Sequence, residues 1–435
     1  MAIISGTTLK AGRLIIINES DWSTEESKLI NSGDFSVTSL EDGKKLVICI
    51  SNEDDDMEIF GNVDAISEGN INSNLYCCGD NEYRQFGLGD EIQQTSSLTQ
   101  VGIDGSDWKT LICANWSIFV IKDNGTLWAC GFNGWGQGSS HLGLGDSDHR
   151  SYFTQVGNDT DWKSASLGSF SQSLAIKIDG TLWGSGYNAD YNFGLPHNNN
   201  LNTFTQISSD TDWKNCSCND GSIYAIKTDG TLWVCGINWY GQLGLGDIVH
   251  RSVLTQVGTD TDWGITASCR SSVWAIKTNG TLWSCGNNDE GILGLNDKEY
   301  RSNFTKVGSD SNWKSVISGS SGYGSHIMAL KTDRTLWSCG YNYRGQLGLG
   351  DTEGRSTLTQ VGTDTDWKSV SCGDNHTLAI KTNGTLWSCG QNNYSQLCLG
   401  DIDNERSVLT QVGTDSDWRD SGCGDCYSFL IKNIQ

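Results

Sequence analysis

Of the 435 residues only one is proline, Pro196, six are histidine and three are methionine. Basic residues are also scarce, 29 against 52 acidic ones, for a net charge of −23. A chain this acidic offers no general basic face for DNA or RNA. It is equally unsuited to anionic membrane surfaces. No apolar run approaches the ~20 residues that span a bilayer, so no membrane insertion is expected. The opening stretch, Met1 to Lys10, has no basic region ahead of a long apolar one, so no secretory signal is expected. Aromatic residues make up 10% of the chain, too many for a disordered acidic protein. The length allows two or three domains or one large ring.

What the sequence does have is a repeat. A tryptophan preceded by Asp or Asn recurs at Trp108, Trp162, Trp213, Trp263, Trp313, Trp367 and Trp418, in steps of 50 to 54 residues. Thr-Leu-Trp recurs at Trp128, Trp183, Trp233, Trp283, Trp337 and Trp387, with Asn74-Leu75-Tyr76 as a weaker seventh copy. A period near 50 indicates propeller blades and excludes shorter helical solenoid repeats. Within one copy, Thr377 to Lys381 reads as a strand and Thr385 to Cys389 as its return. Asn383-Gly384 between them predicts a two-residue type I′ turn with both residues at positive φ. Asp333-Arg334 breaks that pattern, and Arg334 is expected to carry strain. A Gly-rich loop such as Gly241 to Asp247 follows, then a short fourth strand, Leu254 to Val257.

The ends fit a closed ring. The C-terminal part supplies two strands, Asp417 to Gly424 and Tyr427 to Lys432. The stretch from Leu75 to Val101 supplies the other two. The expected architecture is all-β, a seven-bladed propeller over residues 71–435 closed by strands from both ends, which removes exposed sheet edges. Residues 1–70 form a small N-terminal β extension, with strands at Gly12 to Asn18 and Lys45 to Ile50. Asp21-Trp22 faintly echoes a blade. The extension reads either as a cap or degenerate blade or as an attachment module. Asp54 to Asp56 reads as a solvated loop.

Three motifs resemble the regulator of chromosome condensation repeat family. They are Cys372-Gly-Asp-Asn-His376, Asn383-Gly-Thr-Leu-Trp387 and Asn238-x-x-Gly-Gln-Leu-Gly-Leu-Gly-Asp247, and they cover roughly residues 71 to 435 in family order. The resemblance implies a seven-bladed propeller with two-plus-two closure. Its members include a guanine-nucleotide exchange factor for a nuclear GTPase, a secreted β-lactamase inhibitor and many bacterial and viral repeat proteins. The regular Gly-Thr-Asp-Thr-Asp-Trp spacer is closer in style to the bacterial and phage members. The basic tail of the chromatin-binding member has no counterpart here.

Catalytic and metal chemistry find little support. The cysteines occupy repeat positions 16 or 17 apart: Cys113/Cys130, Cys218/Cys235, Cys269/Cys285 and Cys372/Cys389, with Cys423 matched to Cys78 across the closure. Two such strands flank a third, which places them 9 to 10 Å apart, about two strand spacings. That is too far for a disulfide, so free buried thiols are expected. Leu167 and Ser185 replace both in blade three, and blade six keeps only Cys339. Cys423-Gly-Asp-Cys426 has zinc-ligand spacing but no second pair, so no metal site is expected. The histidines sit at different repeat positions and assemble no triad, and His376 reads as structural. The chain is therefore read as non-enzymatic, without a cofactor. The Asp-Thr-Asp pairs (Asp159/Asp161, Asp210/Asp212, Asp260/Asp262, Asp364/Asp366) read as Asx-type turns before a strand, with cation binding as the sharper alternative.

The binding candidates are aromatics in the loop after each third strand: Tyr83, Trp135, Tyr191, Trp239, Tyr240, Tyr343 with Arg344, and Tyr394. Repetition puts them on one face of the disk, where Tyr, Trp and Arg serve as protein hot spots or stack on sugars. The bland alternative is that they cover the Gly loops of neighbouring blades. Gly136 to Leu142, Ala189 to Asn202 and Ser318 to His326 depart from the repeat and mark variable loops. The expected function is a binding or structural propeller, a phage-like virion surface or tail component or an adhesin. Its partners would be other virion proteins through residues 1–70 and a host-surface glycan or protein. The alternative is a cytoplasmic protein–protein regulator, resembling an exchange factor or an enzyme inhibitor.

Overall fold

In a computed structural model the chain forms two compact units, Met1–Ile71 and Asn72–Gln435. The first is described as backbone strands only. The second is described from residue 73 to 433, apart from 107, 135–139, 169–171, 220 and 320–324, with 103–106 as backbone alone. Asp21-Trp22, Asp54 to Asp56, Trp135 and the central parts of the blade-two and blade-six insertions lie outside the described residues.

The first unit holds a four-stranded antiparallel sheet in the order Thr24–Ile30, Gly12–Asn18, Lys44–Ser51, Met57–Val63. Ile4–Leu9 pairs with Gly33–Val37 separately. The second unit is seven four-stranded meanders, with no helix among the described residues. Blade four runs Trp213–Cys218, Ser222–Lys227, Leu232–Gly236, Arg251–Gln256. Blade one is built from both ends: Trp418–Cys423 and Tyr427–Asn433 pair onward to Ser73–Asp80 and Gln94–Ser106.

The core comprises seven layers, one between each pair of neighbouring blades. Leu174, Ile176 and Leu182 of blade three, for example, pack with Trp213, Cys218 and Ile223 of blade four. The seam between blades seven and one is built the same way, with Leu378 and Leu386 against Trp418, Leu430 and Cys78.

The repeat motifs resolve into hydrogen-bond chains. Asn383 Oδ1 accepts from both the N–H and the hydroxyl of Thr385, and Thr385 Oγ1 accepts from Trp387 Nε1. The hairpin differs from the expected one. Lys381 N–H donates to the Thr385 carbonyl and Gly384 N–H to the Lys381 carbonyl, so the loop has three residues. Only Gly384 takes positive φ, at 78°, and Asn383 does not. This is a type I turn followed by a G1 bulge. The glycine is needed twice over, because a Cβ there would meet the Ser416 carbonyl. Arg334 nevertheless occupies this position at φ 65°. Its carbonyl accepts from Trp367 N at 3.3 Å, where the glycine copies of the same bond run from 3.0 to 3.2 Å, so the neighbouring strand has moved out slightly.

The Asp pairs act differently from the Asx turns expected of them. Each clamps the lysine that ends the blade's second strand. Lys277 Nζ lies 2.7 Å from Asp260 and 2.8 Å from Asp262, and Lys177, Lys227, Lys381 and Lys432 repeat the arrangement. The same ammonium sits over two tryptophan rings, 4.6 Å from Trp263 and 5.0 Å from Trp283. Burial pulls Lys277 down, but the two carboxylates outweigh it and hold its pKa above the ordinary value. The cation at these aspartates is therefore the chain's own lysine. In blade one Tyr76 stands where the other blades have the second Trp, and Lys432 covers Trp418 alone.

The cysteines follow a related rule, with one correction. Cys218 and Cys235 both stand opposite Ile223, on either side of the second strand, so the flanking geometry holds. The third-strand thiol packs instead against the Gly-rich loop of the preceding blade. Cys235 Sγ donates to the Tyr191 carbonyl, Cys285 to Gln242, Cys339 to Ile292 and Cys389 to Gln346. Ser185 makes the same bond to Ser140, which explains the exchange in blade three. Burial pushes the Cys235 and Cys389 thiols up to about 12. In six loops the residue at this contact is glycine (Gly87, Gly143, Gly194, Gly244, Gly294, Gly348); in blade seven it is Cys398. Cys398 faces Cys78 of blade one, with Cα atoms 5.8 Å apart, and the two form a disulfide. The expectation of free thiols throughout thus fails at one place. Distances within a blade excluded same-blade pairs but said nothing of the contact between blades.

This bond spans 320 residues and crosses the seam where the ring is held by strands from both ends. Cys398→Gly restores the residue of the other six loops. That variant should lose about 2–5 kcal/mol of stability. Reductant should lower the melting temperature of the wild type and leave the variant unchanged. An equal response of both to reductant would show that the bond does not form.

Candidate binding face

Antiparallel order divides the ring into two sides. The turns between first and second strands and the Gly-rich loops after third strands share one side. The hairpins and the Lys–Asp clamps share the other.

Each Gly-rich loop is wrapped around a buried asparagine. In blade four Asn238 Nδ2 donates to the Asp247 and Val249 carbonyls, and its Oδ1 accepts from Leu243 N–H at 2.9 Å. Gln242 Oε1 accepts from Tyr240 N–H at 3.0 Å. Asp247 closes the loop on Arg251 at 2.6 Å, and that guanidinium holds its carboxyl below the usual range. With the loop interior taken up by Asn238 and Gln242, the side chain between them is turned outward. Trp239 is 64% exposed, and the ring beside it among the described residues is His250 at 5.5 Å. Asn342 and Gln346 do the same in blade six, where Tyr343 is 66% exposed.

The remaining candidates divide. Tyr191 and Tyr394 are exposed. Tyr83 is half-buried, stacked on Trp116 at 4.5 Å and edge-on to Phe132. It covers a neighbouring blade, as the bland alternative held. Arg344 is half-buried and paired to Glu405 at 2.6 Å. Tyr240 is half-buried against Tyr300 of blade five, whose hydroxyl donates to Asp289 at 2.7 Å. Asp289 pushes that phenol up to about 12. Beside Tyr240 lies a cavity of about 290 Å³ lined by Arg270, Ser272, Asn287, Asp289 and Glu290.

Exposed residues that were not anticipated include Ile248 and Val249, 64% and 60% exposed, and Tyr300. Their signal is a contrast between copies. After the loop aspartate blades two, five and six read Ser147-Asp148, Lys298-Glu299 and Thr352-Glu353 and blade seven reads Ile402-Asp403, whereas blade four has two apolar residues in a row, Ile248-Val249. Trp239, Ile248 and Val249 thus put apolar surface on one loop, and Tyr240 and Tyr300 carry aromatic surface on to blade five. Among the described residues no cluster of three or more His, Cys, Asp and Glu is disposed to hold a metal ion.

Models of the regulator of chromosome condensation repeat match residues 316–346, 334–380 and 367–396. The chain is a seven-bladed propeller in which residues 316–396 match that repeat. Among curated proteins, the mouse X-linked retinitis pigmentosa GTPase regulator is 32% identical over 133 residues, which is 30% of this chain and 13% of that protein. The human protein of that name is 29% identical over 140 residues, 32% of this chain and 13% of its own. The chain therefore spans about an eighth of these relatives. Two solved structures share the fold: human WBSCR16 (15% identity, 83% of this chain and 99% of that one, TM-score 0.70) and yeast RCC1 (Prp20) bound to Kap60 (16%, 84% and 89%, TM-score 0.69).

The same side holds three buried imidazoles, His141, His326 and His376, of which the last two join neighbouring blades. His326 Nε2 bonds Thr377 Oγ1 of blade seven, and His376 Nε2 bonds Ser428 Oγ of blade one. Both bonds tie blades together, so His376 is structural. Desolvation lowers both pKa values to about 3, with the His326 charge adding to the effect at His376. The unfolded chain protonates these groups near the ordinary 6.5, and the folded chain only near 3. Their stabilisation is complete above pH 6.5 and falls as pH drops toward 3. The expected loss is about 1.4 kcal/mol per pH unit for each histidine. Urea unfolding between pH 7 and 4.5 measures it, and replacing both with Gln should flatten the slope.

Proposed function

We propose that the chain is a non-enzymatic protein-docking propeller, whose loop side binds a partner protein around Trp239. The carrying observation is the outward-turned Trp239 with Ile248 and Val249 on one loop, next to Tyr240 and Tyr300. The loop beneath is fixed by Asn238, Gln242 and the Asp247–Arg251 pair, so docking costs little ordering of the backbone. A large exposed aromatic on a pre-organised loop is the usual centre of a protein hot spot. Exposed Tyr343 in blade six extends the face.

The relatives support this class of partner. The curated relatives are GTPase regulators by name, and the yeast propeller of like fold is bound to Kap60. A regulator that docks a GTPase or another soluble protein is the finer reading. The virion-surface and glycan-adhesin readings rest on the acidic charge, the repeat style, the expected lack of a secretory signal and an attachment role for residues 1–70.

A photo-crosslinking residue at position 239 should give a discrete protein adduct in extracts of the source cells. The same probe at Asn279, on the hairpin side, should not. Once the partner is in hand, Trp239→Ala should weaken binding by at least about ten-fold. Equal adducts from both positions, or unchanged affinity of the Ala variant, would sink the proposal.

A further inference from the structure

The residue after the tryptophan that opens each innermost strand is Lys109, Lys163, Lys214, Gly264, Lys314, Lys368 or Arg419. Six of seven are cationic, in a chain of net charge −23. The innermost strands of neighbouring blades approach within 8 Å Cα to Cα all the way round, so they line the central channel. These residues open those strands on the hairpin side and mark that mouth of the channel.

The backbone sets each of them apart. In every blade the pairing skips this position. Trp213 pairs with Lys227 and Asn215 with Ile226, so Lys214 is left over as a bulge. The same skip falls at Lys109, Lys163, Gly264, Lys314, Lys368 and Arg419. A bulge re-aims its side chain away from the sheet. The five lysines are exposed although they lie on the innermost strand.

Most of this charge is unpaired; of the six, Lys368 and Arg419 feel a carboxylate, that of Asp420. The aspartates ahead of the innermost strands are taken farther out, by Lys177, Lys227, Lys277, Lys331, Lys381 and Lys432. Among the described residues none of the six axial cations has a carboxylate within ion-pair distance. Lys368 Nζ donates to the Arg419 carbonyl at 3.2 Å, and Arg419 donates to the Trp108 and Lys109 carbonyls of the next blade. Asp420 lies nearest, but it is largely buried and accepts from Leu111 and Ser421 N–H, and burial raises its pKa. Where Gly264 omits the seventh side chain, a depression of about 600 Å³ opens between Lys214 and Lys314, with Lys277, Asn279 and Asn312 on its wall.

We propose that this mouth is a binding site for a compact polyphosphate anion, seated over Gly264 and held by Lys214 and Lys314. Six like charges around one opening repel each other, and a multivalent anion removes that repulsion while each ammonium donates to a phosphoryl oxygen. The site is on the opposite side from Trp239 and is independent of the proposed docking face.

The test is calorimetric titration of the full chain with inorganic tripolyphosphate. Saturable one-to-one binding is expected, weakening as salt rises from about 50 to 200 mM. The double variant Lys214→Ala, Lys314→Ala should bind at least ten-fold more weakly. Lys298→Ala, on the loop side, should bind as the wild type does. Without ligand the double variant should melt no lower than the wild type, because it has lost repulsion and no contact with a carboxylate. If it fails to fold, Lys214→Ala alone should weaken binding about three-fold. No saturable heat from the wild type, or equal affinity in the lysine variants, would overturn the site.

Discussion

A blade of this protein has two apolar faces, and only its neighbours can bury them. Every hydrophobic layer in the ring spans two blades, and the seam between blades seven and one is no exception. Most of the rest follows from that constraint. The tryptophan that opens each innermost strand must be buried, so it is packed between sheets. The lysine that covers it brings a charge to the layer's edge, and paired aspartates receive it. The third-strand thiol or hydroxyl touches the previous blade's loop, so that loop carries glycine wherever no bond is made. Stability is thus shared around the ring, and no blade is expected to stand alone.

Periodicity made the ring legible, because each copy must satisfy the same neighbour. The 50- to 54-residue steps, the strand positions and the two-plus-two closure are all readable from tryptophan spacing. What a single copy could not show was the contact between copies. Asp260 and Asp262 read alone suggest a turn; their partner, Lys277, lies 15 residues downstream of Asp262 and meets them only when the second strand has returned. Cys398 looks like an ordinary departure from Gly-Leu-Gly until blade one supplies Cys78. The Asn383-Gly384 dipeptide was read with the commonest hairpin in mind. The hydrogen bond from Gly384 to Lys381 shows that Thr382 also belongs to the loop.

The binding face was legible in part for the same reason. Repeat position identifies the loop and predicts which residue is lifted outward. It does not separate Trp239, with open surface around it, from Tyr83, which stacks on Trp116. That difference depends on what the adjacent blade offers. The better signal is contrast between copies. Val249 stands where blades two, five, six and seven place a carboxylate, and two adjacent apolar side chains at a solvated turn have no role in holding the ring.

The two sides of the disk use identical scaffolding to different ends. On the loop side, buried asparagines, glutamines and histidines satisfy the backbone and link the blades, which leaves the outermost side chain of each loop free to differ. Variation there changes the surface without touching the layers. On the hairpin side the side chains are themselves the fastening, since a lysine over tryptophan closes the layer edge and in blades one, three, four, five and seven two carboxylates receive it. Change is restricted there, and the same residues recur blade after blade. The loop side can therefore diverge toward a partner, whereas the hairpin side repeats its charge pattern around the axis. A single departure such as Gly264 is enough to give that pattern one open place.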